Sequence, residues 1–557
     1  MTKNATKTAN VFFQSLLRKG SFWIGLLSLS LLLLSLKEPS PRYFEILKNL
    51  EIFTSLYRQV NAHYIEETSP TQLMHKGIHA MLASLDPFTN FIPEEDIEEY
   101  RMQFLGKYGG IGIKASYAFD SSFVVTEIYD DSPIQDEEIQ VGDKIVKLGD
   151  IVLDKNVRNH LALSRLIRGE EGSILSISVQ RYGEDTLRHL RVRRKEINIK
   201  SVPYYGMLES TIGYIKLLSF SNHAGRHVRE ALRELKKQGA KQIVLDLRGN
   251  PGGLLQEAVS VANVFIPKGM EIVSSKGRTQ AENQRYTTQH LPTDTNIRMV
   301  VLIDSHSASA SEIVAGVIQD YDRGILVGRK TFGKGLVQTS VPLEYNARLK
   351  ITTARYYIPS GRYIQEIEHA RDKTARQGNK KFFTRNKRPV YAQNGISPDL
   401  EVGQKRAEIV DILHEKKILF EFATRYRHHH PKPPNLNEFS LGEAAYEDFL
   451  GFLKNYSLAL GWQTPWNQLE EYLEQHSYKT PEQDTQWTQT KKILKDIQNQ
   501  QLRQHKEQIS QALSQVIIQH YYPTWDQVAF SLKYDKDLNK AREVLRDTAR
   551  YEALLLP

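Results

Sequence analysis

Asp304-Ser-His-Ser-Ala-Ser-Ala-Ser-Glu-Ile313 is the stretch on which the reading of this chain turns. Before it, Arg298-Met-Val-Val-Leu-Ile303 is short, apolar and β-branched, the pattern of a buried strand. After it, Glu312-Ile-Val-Ala-Gly-Val-Ile318 has the spacing of a helix entering a core. The small residues between them make a turn in which a serine hydroxyl can face outward at a helix N-terminus. A serine nucleophile needs that geometry, with an amide donor beside it for the developing oxyanion. Ser-Ala repeats also make ordinary N-caps, so the reading depends on whether a base accompanies the serine.

The same strand–turn–helix succession stands some fifty residues upstream. Ile243-Val-Leu-Asp-Leu247 is a strand ending in Arg248-Gly-Asn-Pro-Gly-Gly253, and Leu254 to Phe265 is a helix. Two such turns at neighbouring strand ends aim amide donors into one crevice, where open α/β sheets place their sites. Downstream, Gly328-x4-Gly333-Lys334 imitates a phosphate-binding loop. Gly335 stands where Ser or Thr should hold magnesium, and the β-like Leu336-Val-Gln-Thr-Ser-Val341 replaces the expected helix, so nucleotide binding is disfavoured. The alternative is a lysine held between glycines close to the core, where lost hydration lowers its pKa and frees a neutral amine as general base. Gln338 alternates to the face of Lys334 along a strand and is placed to orient that amine.

Asn250-Pro-Gly-Gly253, Ser307-Ala-Ser-Ala-Ser-Glu312, Thr331-Phe-Gly-Lys-Gly-Leu-Val-Gln338 and Thr353-Ala-Arg-Tyr-Tyr-Ile-Pro-Ser-Gly-Arg362, in that order, resemble the carboxyl-terminal processing peptidases, or tail-specific proteases. The likeness covers roughly residues 42–405. It implies a serine/lysine endopeptidase with Ser309 as nucleophile, Lys334 as base and Gln338 holding the lysine. The amides of Ala310 and of Gly252 or Gly253 are then the oxyanion hole. Ser307 and Ser311 rank below Ser309 because the family pattern puts the nucleophile mid-repeat. His306 departs from the glycine common there, and on an N-terminal turn it is expected to point away.

Between Tyr108 and Gln180 the pattern is β-rich. Tyr108-Gly-Gly-Ile-Gly-Ile-Lys-Ala-Ser116 leads a succession of strands, with a helical stretch from Val157 to Ile167, and the order resembles a PDZ domain. The resemblance makes Gly109, Gly110, Ile111, Gly112 and Ile113 the loop whose amides bind a peptide C-terminal carboxylate, beside a strand edge that pairs with the peptide. Arg168 reads either as a surface arginine or as a polar contact to the neighbouring domain. Gating of the site by this module is a further expectation.

The ends of the chain add location and assembly. Lys3, Lys7, Arg18 and Lys19 precede the uncharged, leucine-rich Ser21 to Leu36. That is an export signal or a membrane anchor, about 24 Å long as a helix, and it places later residues outside the cytoplasm. An exported, periplasmic or extracytoplasmic protein held at the inner membrane is expected. Apolar residues at helical spacing from Phe44 to Val60 make a helical arm that is a candidate for homo-oligomerisation. The chain has no cysteine, which excludes a thiol nucleophile and any disulfide. Its net charge of +9 is scattered rather than striped, so no nucleic-acid partner is read. No cofactor or metal site is read: His428-His-His430 lacks ligand spacing and reads as an exposed loop. Glu366 to Arg388 reads as a mobile surface loop.

The expected architecture is multidomain α/β. A signal or anchor spans 1–37, a helical arm 38–106, a PDZ-like module 107–195, an α/β serine protease core 196–405 and a helical C-terminal extension 406–557. The expected substrates are proteins or peptides with unstructured C-termini. The rival reading is a non-catalytic PDZ scaffold.

Overall fold

Strands that are apolar on both faces need cover on both faces, and the centre of this protein is built on that need. The computed structural model describes residues 41–118, 120–134, 138–153, 160–365, 380–392, 394–403, 407–454, 456, 463–476 and 481–557. It divides into two compact units, residues 1–81 and 82–557. In the first, helix Pro41–His63 leaves Phe44, Leu47, Leu50, Phe53 and Leu56 exposed. Among the described residues no helix is long and apolar enough to cross a membrane; Ser21 to Leu36 lies outside them.

The second unit is organised around a six-stranded sheet. Ile212–Lys216, Gln242–Asp246, Arg298–Ile303, Ile325–Gly328 and Leu400–Glu401 run parallel in that order, with Tyr204–Met207 antiparallel at one edge. Helices Ala224–Lys237, Leu255–Ala262 and Ala310–Asp320 bury one face around Val228, Leu232, Val261 and Val314. A second, antiparallel sheet carries Leu336–Pro342 and Arg348–Tyr357 beside Glu271–Gly277. Asn90–Ile92, placed by sequence in the arm, pairs with Arg348–Lys350 and so belongs to this sheet.

The β-rich stretch forms an antiparallel sheet in the order Ile113–Tyr117, Phe123–Ile128, Lys144–Leu148, Ile174–Gln180, Leu187–Arg193. Helix His160–Ile167 closes its core around Val125, Ile145, Ile177 and Val179. The expected carboxylate loop is shorter than its sequence suggests. Gly109 and Gly110 end the strand Lys107–Gly110, which is paired with Lys195–Asn198, and the Gly109 N–H donates to Glu98 at 2.7 Å. An added Cβ at Gly109 would lie 2.2 Å from the Gly169 carbonyl oxygen, so its glycine serves close packing there. All five residues from Gly109 to Ile113 are buried. Arg168 is no free surface arginine: it donates to Glu99 at 3.1 Å and covers the Tyr108 ring.

Two further readings are corrected. Within the expected loop 366–388, Lys381–Phe383 pairs with Pro389–Tyr391 as a hairpin, and Arg388 is buried on Asp322 and Asp399 at 2.6 and 2.7 Å. The charge pattern that suggested solvent is thus partly consumed by internal ion pairs; residues 366–379 lie outside the described ones. His428 and His429 end the helix Ile418–His429 rather than forming a loop, and His430 stacks on Tyr426. The C-terminal extension is helical as expected, but it is not separate. Leu538, Ala541, Val544, Leu545 and Tyr551 are buried on Tyr214, Val244, Val300, Leu302, Ile325 and Val327, the second face of the central sheet.

Candidate active site

The chain leaves the central strand Arg298–Ile303 through Asp304, whose Oδ1 accepts the N–H groups of Gly249, His306 and Ser307 at 3.0–3.1 Å. An aspartate folding the following residues onto its own carboxylate makes a tight turn without glycine. The three serines of the repeat then separate by burial. Ser307 Oγ donates to the Leu247 carbonyl at 2.9 Å, and Ser311 Oγ to the Asn250 carbonyl at 2.9 Å; both are buried. Ser309 is only half-buried and holds φ +55° with ψ −112°, a positive-φ conformation costly for a residue with a Cβ. It caps the helix Ala310–Asp320, so the Ala310 amide is the first of that helix's unpaired donors. His306 is exposed at 79%, its ring turned outward.

Asn250 stitches the second turn to the first. Its Nδ2 donates to the Leu217 carbonyl, its Oδ1 accepts the Gly252 N–H at 2.9 Å, and its own carbonyl accepts the Ala308 N–H at 3.1 Å. Gly252 has φ +100°, and a Cβ there would lie 2.9 Å from Ser309 Cβ and 3.0 Å from the Ala310 nitrogen. Only glycine allows the two turns this approach. Because the Gly252 amide is spent on Asn250, Gly253 is the better-placed second donor.

Glu312 ties the serine turn to the lysine loop. Fully buried, its Oε2 accepts the amides of Ser309 and Lys334 at 2.8 and 2.9 Å. Its Oε1 accepts the Gly333 amide at 2.7 Å and the Thr331 hydroxyl at 2.6 Å. Burial pushes its carboxyl up to about 7, against four donors that favour the charged form. Tyr356, also buried, donates its hydroxyl to the Lys334 carbonyl at 2.5 Å and lies 3.2 Å from that of Ser309. Serine and lysine backbones are therefore held by the same two side chains.

Lys334 Nζ donates to Gln338 Oε1 at 2.9 Å, and Gln338 Nε2 donates to the Phe88 carbonyl at 2.6 Å. The Phe88 ring lies 4.7 Å from Nζ. Burial pushes the Lys334 ammonium down to about 8, the charge of Lys350 adds to the shift, and Glu312 and Asp86 oppose it. Lys334 precedes its strand, Leu336–Pro342, and the register shifts between Val337 and Gln338, so the contact arises at a β-bulge rather than by regular alternation. Ser309, Ala310, Gly253, Lys334 and Gln338 line one cleft of about 340 Å³, along with Lys350. An open hydroxyl, a half-buried amine with a lowered pKa and amides at a helix start can perform acyl transfer.

Sequence reasoning missed Glu312, Tyr356 and the Asp86–Thr89 turn that delivers the Phe88 carbonyl. Glu312 had a local signal, the capping pattern Ser309-x-x-Glu312. Asp86 had a weaker one: its carboxylate accepts the Phe88 and Thr89 amides at 2.7 and 2.8 Å, the habit of aspartate after a helix. Tyr356 lies in the Thr353–Arg362 stretch quoted above, but nothing local separates it from the adjacent Tyr357.

Residues 211–375 match the family described as Peptidase family S41, and residues 409–545 match one described as Probable PDZ-protease, C-terminal helical domain. The chain is 34% identical to a Carboxy-terminal-processing protease of Bartonella bacilliformis, over 63% of its own length and 81% of the relative's. It is 32% identical to a Probable CtpA-like serine protease of Staphylococcus aureus, over 57% of its own length and 62% of the relative's. A solved photosystem II D1 C-terminal processing protease aligns over 63% of this chain and 92% of that one, at 26% identity and a TM-score of 0.35. By the first of these matches and by the catalytic-domain match, the chain belongs to the S41 peptidases of the carboxy-terminal-processing kind and is a serine-type protease.

Proposed function

We propose that Ser309 and Lys334 are the catalytic dyad of an endopeptidase acting on the unstructured C-terminal tails of proteins. Neutral Lys334 takes the Ser309 hydroxyl proton as Oγ forms a bond to the scissile carbonyl carbon. The oxyanion is received by the amides of Ala310 and Gly253. The C–N bond then breaks, the leaving amine takes the proton from Lys334, and water repeats the sequence on the acyl ester to release the acid and restore Ser309. Gln338, anchored on the Phe88 carbonyl, keeps the amine in place. The observation that carries this reading is that Ser309 and Lys334 line the same cleft with the lysine tethered and its pKa lowered to about 8.

Tail recognition is assigned to the β-rich module. Ile113–Tyr117 is the end strand of its sheet and is paired there on one side, with Phe123–Ile128. An extended peptide adds to such an edge, with its carboxylate at Ile111 and Gly112. Export and anchoring by residues 1–37 and self-association through the exposed apolar face of Pro41–His63 complete the proposal.

The test is cleavage of an unstructured C-terminal tail by the chain from residue 38, beside Ser309→Ala and Lys334→Ala. Wild type should cut while both folded variants are inert. Full activity in the lysine variant would place the base elsewhere, with His306 the next residue to examine.

A further inference from the structure

The end of the chain is joined to the catalytic turn through one side chain. Arg248 begins the turn Arg248–Gly253, and all five of its guanidinium N–H groups are used. Nε and Nη2 grip Asp246 at 3.0 and 2.6 Å, Nη2 and Nη1 grip Asp535 at 2.5 and 2.9 Å, and Nη1 also reaches Asp537 at 3.0 Å. Its main chain is held as well: the Arg248 N–H donates to Asp246, and its carbonyl accepts from Lys216 at 2.8 Å. The next amide, of Gly249, donates to Asp304 at the foot of the serine turn.

Docking alone does not call for this arrangement. The helix Lys536–Arg546 already buries Leu538, Ala541, Val544 and Leu545 on the sheet, and Gln242 and Tyr551 add hydrogen bonds to Leu545 and Met299. A largely buried arginine among three carboxylates carries a desolvation cost that an apolar contact would avoid. What it adds is a fixed position, because a bidentate guanidinium–carboxylate pair sets both distance and plane. That position is the start of the turn that ends at Gly253.

We propose that Asp535 and Asp537 are positioning residues for catalysis: acting through Arg248, the C-terminal extension sets the place of the Gly253 amide against Ser309. The proposal rests on the oxyanion role given above to Ala310 and Gly253. It assigns the extension a part in the rate of the chemical step, separate from substrate capture.

The test uses the chain from residue 38 with Asp535→Asn, Asp537→Asn and the double variant. Asparagine at 535 keeps the helix cap, since its oxygen accepts the Leu538 N–H as aspartate does at 3.0 Å, while its NH2 replaces the oxygen that accepts from Arg248 Nη2, so the charge and one acceptor are lost from the grip on Arg248. A misplaced oxyanion donor lowers kcat. The double variant should lose about 10- to 100-fold in kcat, less than the full loss of such a donor, with KM within about twofold. Affinity for a tetrahedral adduct formed by a peptide boronate on Ser309 should fall in proportion. Binding of an uncleaved tail, measured in the Ser309→Ala background, should not change, and Asp535→Glu should recover much of kcat. Wild-type kcat in the double variant overturns the proposal, as does a parallel loss of boronate and tail binding, which would mark a general structural role. An inert wild type, or activity in Ser309→Ala, would instead sink the dyad assignment on which the proposal rests.

Discussion

Replacing Glu312 tests the central claim about how this site is held. Its carboxylate has four donors, and three of them are backbone N–H groups, of Ser309, Gly333 and Lys334. In Glu312→Gln the better amide orientation keeps oxygen on the Ser309 and Lys334 amides. It turns NH2 toward Thr331, whose hydroxyl can reverse and accept, and toward Gly333, whose amide cannot. One buried N–H is left unpaired, at a cost of about 1–3 kcal/mol. Glu312→Ala strands all three, on the order of 3–9 kcal/mol before relaxation, enough to release the serine turn from the lysine loop. Urea unfolding should therefore rank wild type above Gln and Gln above Ala. kcat/KM should fall modestly in Gln and nearly completely in Ala, while the tail binding proposed above for the β-rich module should be kept in both. Hydrogen exchange at the Gly333 amide should accelerate in both variants, and at the Lys334 amide chiefly in Ala. An alanine variant with wild-type stability and rate would refute the claim that Glu312 joins the two catalytic segments.

Two further outcomes follow from the geometry. The base must be neutral to act, and Lys334 loses its proton above about 8, so kcat/KM should rise about tenfold per pH unit below 8 and level off above it; a profile flat from pH 6 to 9 would remove Lys334 from the role. At Gly252 the φ is +100° and a new Cβ would press on Ser309 and Ala310, whereas Gly249, also left-handed at φ +71°, has open space around it. Gly252→Ala should lose at least about 100-fold in kcat, and Gly249→Ala should keep most of it; equal effects would mean that backbone strain, not the close approach of the two turns, sets the requirement.

The fold was legible where the pattern is local. The two strand–glycine turn–helix successions at 243–265 and 298–318 marked an open α/β sheet, because fully buried strands read as continuous apolar runs. Ser309, Lys334 and Gln338 could be named as candidates because their motifs are compact and ordered as in the family the chain resembles, and they line one cleft. What stayed hidden was produced by distance along the chain. Phe88 meets Gln338 across 250 residues, and Arg248 meets Asp535 across 287; no spacing rule links them. Gly109 and Gly110 misled for a related reason. Glycine pairs signal both a loop that binds anions and a strand that lets another backbone approach, and only the position of Gly169 decides between them.

The apolar cover that residues 538–551 lay on the central sheet has a temporal side. A ribosome adding ~5–20 residues per second completes Val327 roughly ten to forty seconds before Leu545. Through that interval Tyr214, Val244, Val300, Leu302, Ile325 and Val327 lack the partners they have in the finished fold. A nascent chain that already carries both serine and lysine is therefore still missing one wall of its protease core. Pairings this far apart in sequence form late, so the central sheet gains its second apolar cover only after residues 538–551 have been made.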